Sequence, residues 1–138
     1  MAKVPKEILP KKITAASQIQ KYLYLLEDKK VGIVGNQTSL VRGVHLVDTL
    51  LASGIDIVRV FSPEHGFRGD ADAGEYVLNE KDEKTGLPIV SLYGKNKKPY
   101  AEQLEGIDVL VFDIQDVGVR FYTYISTLHY VMEACAEN

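Results

Sequence analysis

The stretch Val109-Leu110-Val111-Phe112 decides the fold, because it is the clearest buried strand in the chain. A strand that is apolar on both faces is typical of a parallel sheet covered by helices. Similar short apolar runs lie at 31–34, 55–61 and 87–92. Segments with helical patterns lie between and around them, at 14–26, 45–53, 99–104 and 122–137. The alternation predicts an α/β fold, a parallel sheet flanked by helices on both sides.

The helical segments carry apolar stripes and end signals. The first is predicted from Ile19, Tyr22, Leu23 and Leu26, and Gly54 is expected to cap the helix that ends near Ser53. In the last helix the predicted stripe consists of Ile125, Leu128, Met132 and Cys135. No strand follows this helix, although a crossover helix normally returns to the sheet. We therefore expect the chain to be the amino-terminal part of a longer protein.

Composition bounds the function classes. The chain has 138 residues, 46% hydrophobic and 25% charged, and a net charge of -3, which makes nucleic acid an unexpected partner. Its single cysteine excludes an intrachain disulfide, and no apolar run approaches the ~20 residues that span a bilayer. Residues 1–12 are predicted to be a flexible lead-in without a signal peptide's apolar core, and 13–138 to form one domain.

Polar side chains follow every predicted strand. Parallel strands place these turns on one edge of the sheet, where open α/β sheets bind their ligands. The candidates in chain order are Asn36, Gln37, Thr38, Ser39, Glu64, His65, Arg68, Tyr93, Gly94, Asp113, Gln115, Asp116, Arg120 and Tyr122. The polar stretch 62–86 is also long for a loop inside a compact domain, which is typical of functional loops. Residues distant in sequence are therefore expected to form one cleft.

Within this set, Ser62-Pro63-Glu64-His65-Gly66 places two proton-transfer groups directly after a strand. Other positions have structural alternatives. Asn36 and Thr38 are equally explained as a turn cap, and Asp113 as a cap or as an ion pair with Arg120. His45 is interpreted as structural, and residues 81–84 as a solvated turn.

The spacing of glycines, serines and possible metal ligands argues against several functional classes. The glycines near the first strand do not form the Gly-x-Gly-x-x-Gly dinucleotide fingerprint, and neither a phosphate-loop Gly-Lys-Ser/Thr nor a Gly-x-Ser-x-Gly elbow occurs. A metal site built from His65, Asp70, Asp72 and Asp113 has no recognised ligand spacing. Nucleotide binding, serine hydrolysis and metal catalysis are therefore disfavoured.

Five motifs together resemble a known family. They are Val34-Gly35-Asn36-Gln37-Thr38-Ser39, Phe61-Ser62-Pro63-Glu64-His65-Gly66-Phe67-Arg68-Gly69, Thr85-Gly86-Leu87-Pro88, Ser91-Leu92-Tyr93-Gly94 and Val111-Phe112-Asp113-Ile114-Gln115-Asp116-Val117-Gly118-Val119-Arg120-Phe121-Tyr122-Thr123-Tyr124. Their order and spacing resemble those of the bacterial exo-β-N-acetylmuramidases, peptidoglycan glycoside hydrolases long catalogued as a domain of unknown function. The resemblance implies a Rossmann-like amino-terminal domain whose cleft is completed by a second, smaller domain.

The resemblance also implies an activity, the release of N-acetylmuramic acid from the non-reducing end of β-1,4-linked peptidoglycan fragments. By the same resemblance Glu64 matches the catalytic carboxylate. Cleft-lining positions of the family correspond here to His65, Asp116, Arg120 and Tyr122. It implies muramic-acid saccharides as partners and export to the cell envelope. No cofactor, metal or membrane span is expected.

The second catalytic group, the arginine that binds the substrate and the function itself each have an alternative. Glycoside hydrolysis usually needs an acid, for which Glu64 is the candidate, and a second group. That group is Asp116, next Asp113, or the substrate's own acetamido group oriented by an Asp. Arg68 or Arg120 is expected to bind the lactyl carboxylate of the sugar. A non-catalytic Rossmann-like module that binds a sugar or another small molecule is the alternative function.

Overall fold

The computed structural model describes residues 13–63, 66–69 and 81–138. Its sheet consists of β1 (Lys30–Gly35), β4 (Asp56–Ser62), β5 (Ile89–Ser91) and β6 (Val109–Asp113), with the order β5-β4-β1-β6. All three pairings are parallel. The α/β fold with a parallel sheet is therefore confirmed. The predicted lead-in at 1–12 and much of the polar stretch lie outside the described residues.

The sheet is covered on both faces by apolar clusters. On one face, Val31 and Ile33 of β1 pack with Leu46 and Leu50 of α1 (Leu46–Ala52). On the other face, Val34 and Phe61 pack with Val131 of α3 (Tyr124–Glu137), and Leu104 of α2 (Ala101–Leu104) packs against that cluster. Alternate residues of β1 therefore face different helices, which explains why the strand is apolar throughout.

Helix α1 ends as predicted at a glycine. Gly54 has a φ of +83°, and its N–H donates to the carbonyl of Leu51 at 3.0 Å. The N–H of Ile55 donates to the carbonyl of Leu50 at 3.1 Å. These two bonds form a Schellman motif, which turns the chain directly into β4.

The chain between β1 and α1 contains a hairpin that the sequence analysis did not predict. Strands β2 (Leu40–Val41) and β3 (Val44–His45) pair antiparallel. Arg42 and Gly43 connect them with φ values of +52° and +86°. Positive φ at both central residues is the geometry of a type I′ turn. The sequence carries only the glycine of the usual Asn-Gly signal.

The helix predicted over 14–26 is wrong. Two 3-10 helices, Ile19–Lys21 and Leu23–Leu25, occupy part of this segment, and their hydrogen bonds reach back three residues rather than four. The Tyr22 hydroxyl donates to the carbonyl of Ala16 at 2.6 Å and fixes the turn. Ile19, Tyr22 and Leu23 nevertheless pack on the α1-side core, so the predicted apolar face was identified correctly.

The predicted stripe of the last helix is wrong at three of its four residues, and only Leu128 is half-buried. Ile125 and Met132 are each 63% exposed, and Cys135 is exposed. The buried residues are instead Thr127, Val131 and Ala134. The helix carries apolar residues on adjacent faces, and the smaller side chains are the ones that approach the sheet.

Candidate active site

The carboxyl ends of the four parallel strands lie on one edge of the sheet. The chain runs from β1 to β4 and then to β5 on one side, and it crosses back to place β6 on the other side of β1. The strand order therefore reverses between β1 and β6, which is a topological switch point of the kind that binds ligands in open α/β sheets. The turn that begins at Asn36 and the end of β6 border this point.

Asn36 is the most informative side chain at the switch point. It is fully buried, and its Oδ1 accepts hydrogen bonds from the backbone N–H of Thr38 at 2.9 Å and the Thr38 hydroxyl at 2.6 Å. A backbone N–H can only donate, so these bonds fix which end of the amide is oxygen. The Nδ2 group of Asn36 then has no hydrogen-bond partner within the described part of the chain.

Ser39 and Thr38 join the turn after β1 to the end of β6. The Ser39 hydroxyl accepts from the N–H of Asn36 at 3.1 Å and donates to the carbonyl of Asp113. Thr38 Oγ1 accepts from the N–H of Gln115 at 3.1 Å. The turn-cap interpretation of Asn36 and Thr38 is thus confirmed, and the capped turn also crosses the switch point.

Asp113 ends β6 with one carboxylate oxygen unsatisfied. Its Oδ2 is buried and has no hydrogen-bond partner among residues 13–63, 66–69 and 81–138. Burial raises the pKa of this carboxyl above its ordinary value. The described ion pairs do not include one between Asp113 and Arg120, which removes one of the two structural explanations for the aspartate.

His45 holds the other side of the Asn36 turn. The N–H of Val47 donates to its Nδ1 at 3.3 Å, so the proton sits on Nε2, which lies 2.9 Å from the carbonyl oxygen of Asn36 and donates to it. Burial lowers the pKa of the imidazole, although its bond to Asn36 opposes that effect. The ring also makes an edge contact with Phe67, at 4.5 Å between centroids. His45 is structural, as predicted, and it supports the site.

Arg68 is enclosed by two carboxylates. Its Nε and Nη2 donate to Asp82 at 2.6 and 2.8 Å, and its Nη1 and Nη2 donate to Asp48 at 3.2 and 3.1 Å. The hydrogen bonds from Arg68 lower the pKa of Asp82 to about 2. The prediction that 81–84 is a solvated turn is wrong at Asp82, which is only 4% exposed. Asp48 and Asp82 were both missed, because they lie 20 and 14 residues from Arg68.

The remaining predicted site residues have less enclosed positions. Gln37 is exposed beside Gly69, and Tyr93 is half-buried just after β5. The segment after β6 is open to solvent and contains Gln115, Asp116, Arg120 and Tyr122. Asp116 Oδ1 accepts a hydrogen bond from the N–H of Gly118 at 2.6 Å. The rings of Tyr122 and Tyr124 make an edge contact, with 5.9 Å between their centroids. Glu64 and His65 lie outside the described residues.

Two other features bear on function. Where the structure is described, it contains no group of three or more His, Cys, Asp or Glu side chains able to hold a metal ion, and no helix long and apolar enough to cross a membrane. A groove of about 670 Å³ lies at the opposite end of β6, where Leu104, Ile107 and Leu110 line it. That groove is remote from the carboxyl edge, so we do not assign the site to it.

Comparisons with known proteins agree on one family. Residues 31–138 match the family model described as exo-β-N-acetylmuramidase NamZ, N-terminal. The peptidoglycan β-N-acetylmuramidase NamZ of Bacillus subtilis (strain 168) is 50% identical over 123 residues, which cover 83% of this chain and 30% of that protein.

Solved structures give the same result. Two DUF1343 family proteins from Bacteroides fragilis superpose with TM-scores of 0.74 and 0.76, at 43% and 45% identity. The matches cover 88% and 86% of this chain but 31% and 30% of the two solved chains. The chain therefore spans about a third of the length of these relatives, and the match is confined to that part of them.

Proposed function

Because the chain belongs to the NamZ exo-β-N-acetylmuramidase family, in its N-terminal part, we propose that it forms the amino-terminal active-site domain of a peptidoglycan glycoside hydrolase. The reaction proposed is release of N-acetylmuramic acid from the non-reducing end of β-1,4-linked fragments. A relative that is 50% identical and named as a peptidoglycan β-N-acetylmuramidase supports this proposal. The observation that carries it is the buried Nδ2 group of Asn36 at the switch point, which no described residue satisfies. A buried donor without a partner is costly for the fold alone, and a polar ligand such as a sugar can satisfy it.

Glu64 is proposed as the general acid, with His65 as a neighbouring proton-transfer group. The acid donates its proton to the glycosidic oxygen as the bond to the anomeric carbon breaks, and water finally supplies the hydroxyl of the released sugar. The sequence position supports this role, since Glu64 follows β4 by two residues and β4 ends at the same edge as β1 and β6.

For the second group, burial favours Asp113 over Asp116. One carboxylate oxygen of Asp113 is buried and has no partner among the described residues, whereas Asp116 is exposed and one of its oxygens accepts a bond from the N–H of Gly118. An unpaired acceptor beside the switch point suits a group that orients the acetamido N–H of the substrate. We therefore propose substrate-assisted chemistry, with Asp113 in the orienting role.

Arg120 is proposed to bind the lactyl carboxylate. Of the two arginines considered, Arg68 donates to Asp48 and Asp82, whereas Arg120 is exposed and forms no ion pair within the described residues. Asn36, Gln37, Tyr93, Gln115 and Tyr122 complete the proposed substrate-binding set. Arg120→Met is expected to raise KM for a muramic-acid substrate more than for its glucosamine analogue.

The test uses the protein as its gene encodes it, with a defined muramic-acid disaccharide as substrate. Wild-type protein should release free N-acetylmuramic acid, and Glu64→Gln should abolish release while the disaccharide still binds. Glu83→Gln, at an exposed position, is the matched control and should retain full turnover. Binding without turnover by the wild type would identify a sugar-binding module instead. Full turnover by Glu64→Gln would exclude Glu64 as the acid.

The cell envelope is the proposed location, because that is where peptidoglycan substrates lie. Fractionation of the producing cells tests this proposal. Recovery of the protein only with the cytoplasmic contents would contradict it.

A further inference from the structure

The residues on either side of Glu64 and His65 are firmly held. Before them, Ser62 is only 2% exposed at the end of β4, and Pro63 is buried. After them, the segment Gly66–Gly69 is in contact with three separate parts of the fold. The described residues on both sides of this pair are therefore held in place by the rest of the fold.

Three contacts hold Gly66–Gly69. Phe67 is 3% exposed and packs edge-on against the ring of His45. Arg68 makes four hydrogen bonds of 2.6 to 3.2 Å to Asp82 and Asp48. Gly69 has a φ of +83° and lies so close to Gln37 that an added Cβ would be 3.2 Å from the Gln37 Cβ. The segment is thus tied to α1, to the turn before β5 and to the turn after β1.

Arg68 makes the strongest of these contacts, and its positive charge is already paired with carboxylates of the protein. Asp48 also accepts a bond from Lys84 at 2.6 Å, so the cluster contains two cations and two carboxylates and is neutral. Every nitrogen of the guanidinium already donates to a carboxylate. Binding a third anion would require breaking one of these two pairs, at a cost in stability.

We propose that Arg68 is a positioning residue, which clamps Gly66–Gly69, the segment that follows Glu64 and His65 in the sequence, between Asp82 and Asp48. The assignment of a catalytic role to Glu64 rests on the proposed function. The clamp itself rests on the geometry of the described residues. A carboxylic acid displaced by about 1 Å from its productive position can lose on the order of 100-fold in rate.

The kinetic test compares Arg68→Met and Arg68→Lys in the protein as its gene encodes it. Arg68→Met should lower kcat on the muramic-acid disaccharide by about 100-fold and change KM by less than about 3-fold. Arg68→Lys keeps the charge but loses the planar fork, so its kcat should fall between those of Met and wild type. Arg42→Met, at an exposed turn position, is the matched control and should leave both constants unchanged.

A second measurement is independent of activity. Hydrogen exchange of a peptide spanning 62–69 should accelerate at least tenfold in Arg68→Met, while a peptide from β1 should keep its wild-type rate. If Arg68→Met fails to fold, Asp48→Ala removes both acceptor oxygens on one side of the clamp, leaves the Asp82 pair intact and should accelerate the same peptide.

The outcomes separate the two proposals. A wild type that releases no muramic acid defeats the proposed function, and the exchange rates still decide whether the clamp exists. An unchanged exchange rate at 62–69 overturns the positioning role. A large rise in KM with unchanged kcat also overturns it, because that result assigns Arg68 to substrate binding.

Discussion

Replacing Gly35 by alanine tests whether the Ser39 bridge holds the site together. A Cβ at Gly35 would lie 2.8 Å from the Ser39 hydroxyl oxygen, closer than real Cβ contacts come. The same change at Gly32, in the same strand, would place the Cβ even closer to its neighbour, at 2.5 Å from Leu110 Cδ1. The two variants differ in whether the neighbour can move.

The neighbours differ in freedom. At Gly32 the crowding atoms belong to the half-buried side chains of Leu110 and Ile107, whose Cδ1 atoms would lie at 2.5 and 3.0 Å, and these flexible ends can change rotamer at little cost. The Ser39 hydroxyl is held by the N–H of Asn36 and the carbonyl of Asp113, and moving it breaks both bonds. Each lost bond costs about 0.5–1.5 kcal/mol and overpacking costs about 1–3 kcal/mol. We expect Gly35→Ala to lower the free energy of unfolding by about 3 kcal/mol and Gly32→Ala by less than about 1 kcal/mol.

Urea and thermal unfolding of both variants beside the wild type measure the difference. At about 3 °C per kcal/mol for a domain of this size, Gly35→Ala should lower Tm by roughly 10 °C. The bare distances predict the opposite ranking. If Gly32→Ala is the more destabilising variant, the Ser39 bridge does not constrain the turn after β1, and the structural basis of the site is wrong.

Three further predictions concern charge and packing. Burial lowers the pKa of His45, so its neutral form stabilises the fold fully above about pH 6.5. Below that pH the free energy of unfolding of the wild type should fall by up to about 1.4 kcal/mol per pH unit, a loss that His45→Gln should not show. Urea titrations of both proteins from pH 8 to 5.5 measure the difference. Because burial raises the pKa of Asp113, its ionised form destabilises the fold, so Asp113→Asn should raise Tm at pH 7 and the gain should vanish below pH 3.8. A lower Tm for Asp113→Asn at pH 7 would refute this. Val131→Ala should cost about 1.5 kcal/mol and Met132→Ala less than about 0.5 kcal/mol, and equal costs would contradict the assigned face of α3.

The strands were predictable because each contains a short, mostly apolar run, a pattern that is typical of a covered parallel sheet when helical segments separate the runs. The end of α1 was predictable for a similar reason, since Gly54 takes a positive φ that other residues avoid. The 14–26 segment failed because its apolar spacing fits 3-10 turns as well as an α-helix. There the bond from the Tyr22 hydroxyl to Ala16 fixes a local turn. In α3, apolar residues lie on adjacent faces of the helix, so the face that is buried depends on tertiary packing and could not be predicted from the spacing.

The location of the candidate site at the carboxyl edge of the sheet was predictable from the strand ends alone, but the roles of individual residues were not. A role depends on partners, and the partners of Arg68 are 14 and 20 residues away, in a turn and a helix that no local pattern connects to it. Asn36 shows the converse. Its bonds to Thr38 are local and could be anticipated, whereas the lack of a described partner for its Nδ2 follows only from the burial that the whole sheet imposes.

The contrast between Arg68 and Asn36 gives a physical criterion for the cleft. Arg68 has the residue type expected to bind an anion, yet two carboxylates already satisfy its charge, and breaking them would cost stability. Asn36 has an ordinary residue type for a turn, yet it keeps a buried donor that no described residue satisfies. The fold gains nothing from leaving that donor unpaired, so a bound polar group is the simplest compensation. Buried atoms that no described residue satisfies, rather than charged residue types, therefore support the proposed substrate position at the β1/β6 switch point, and the ion pairs of Arg68 support its proposed positioning role.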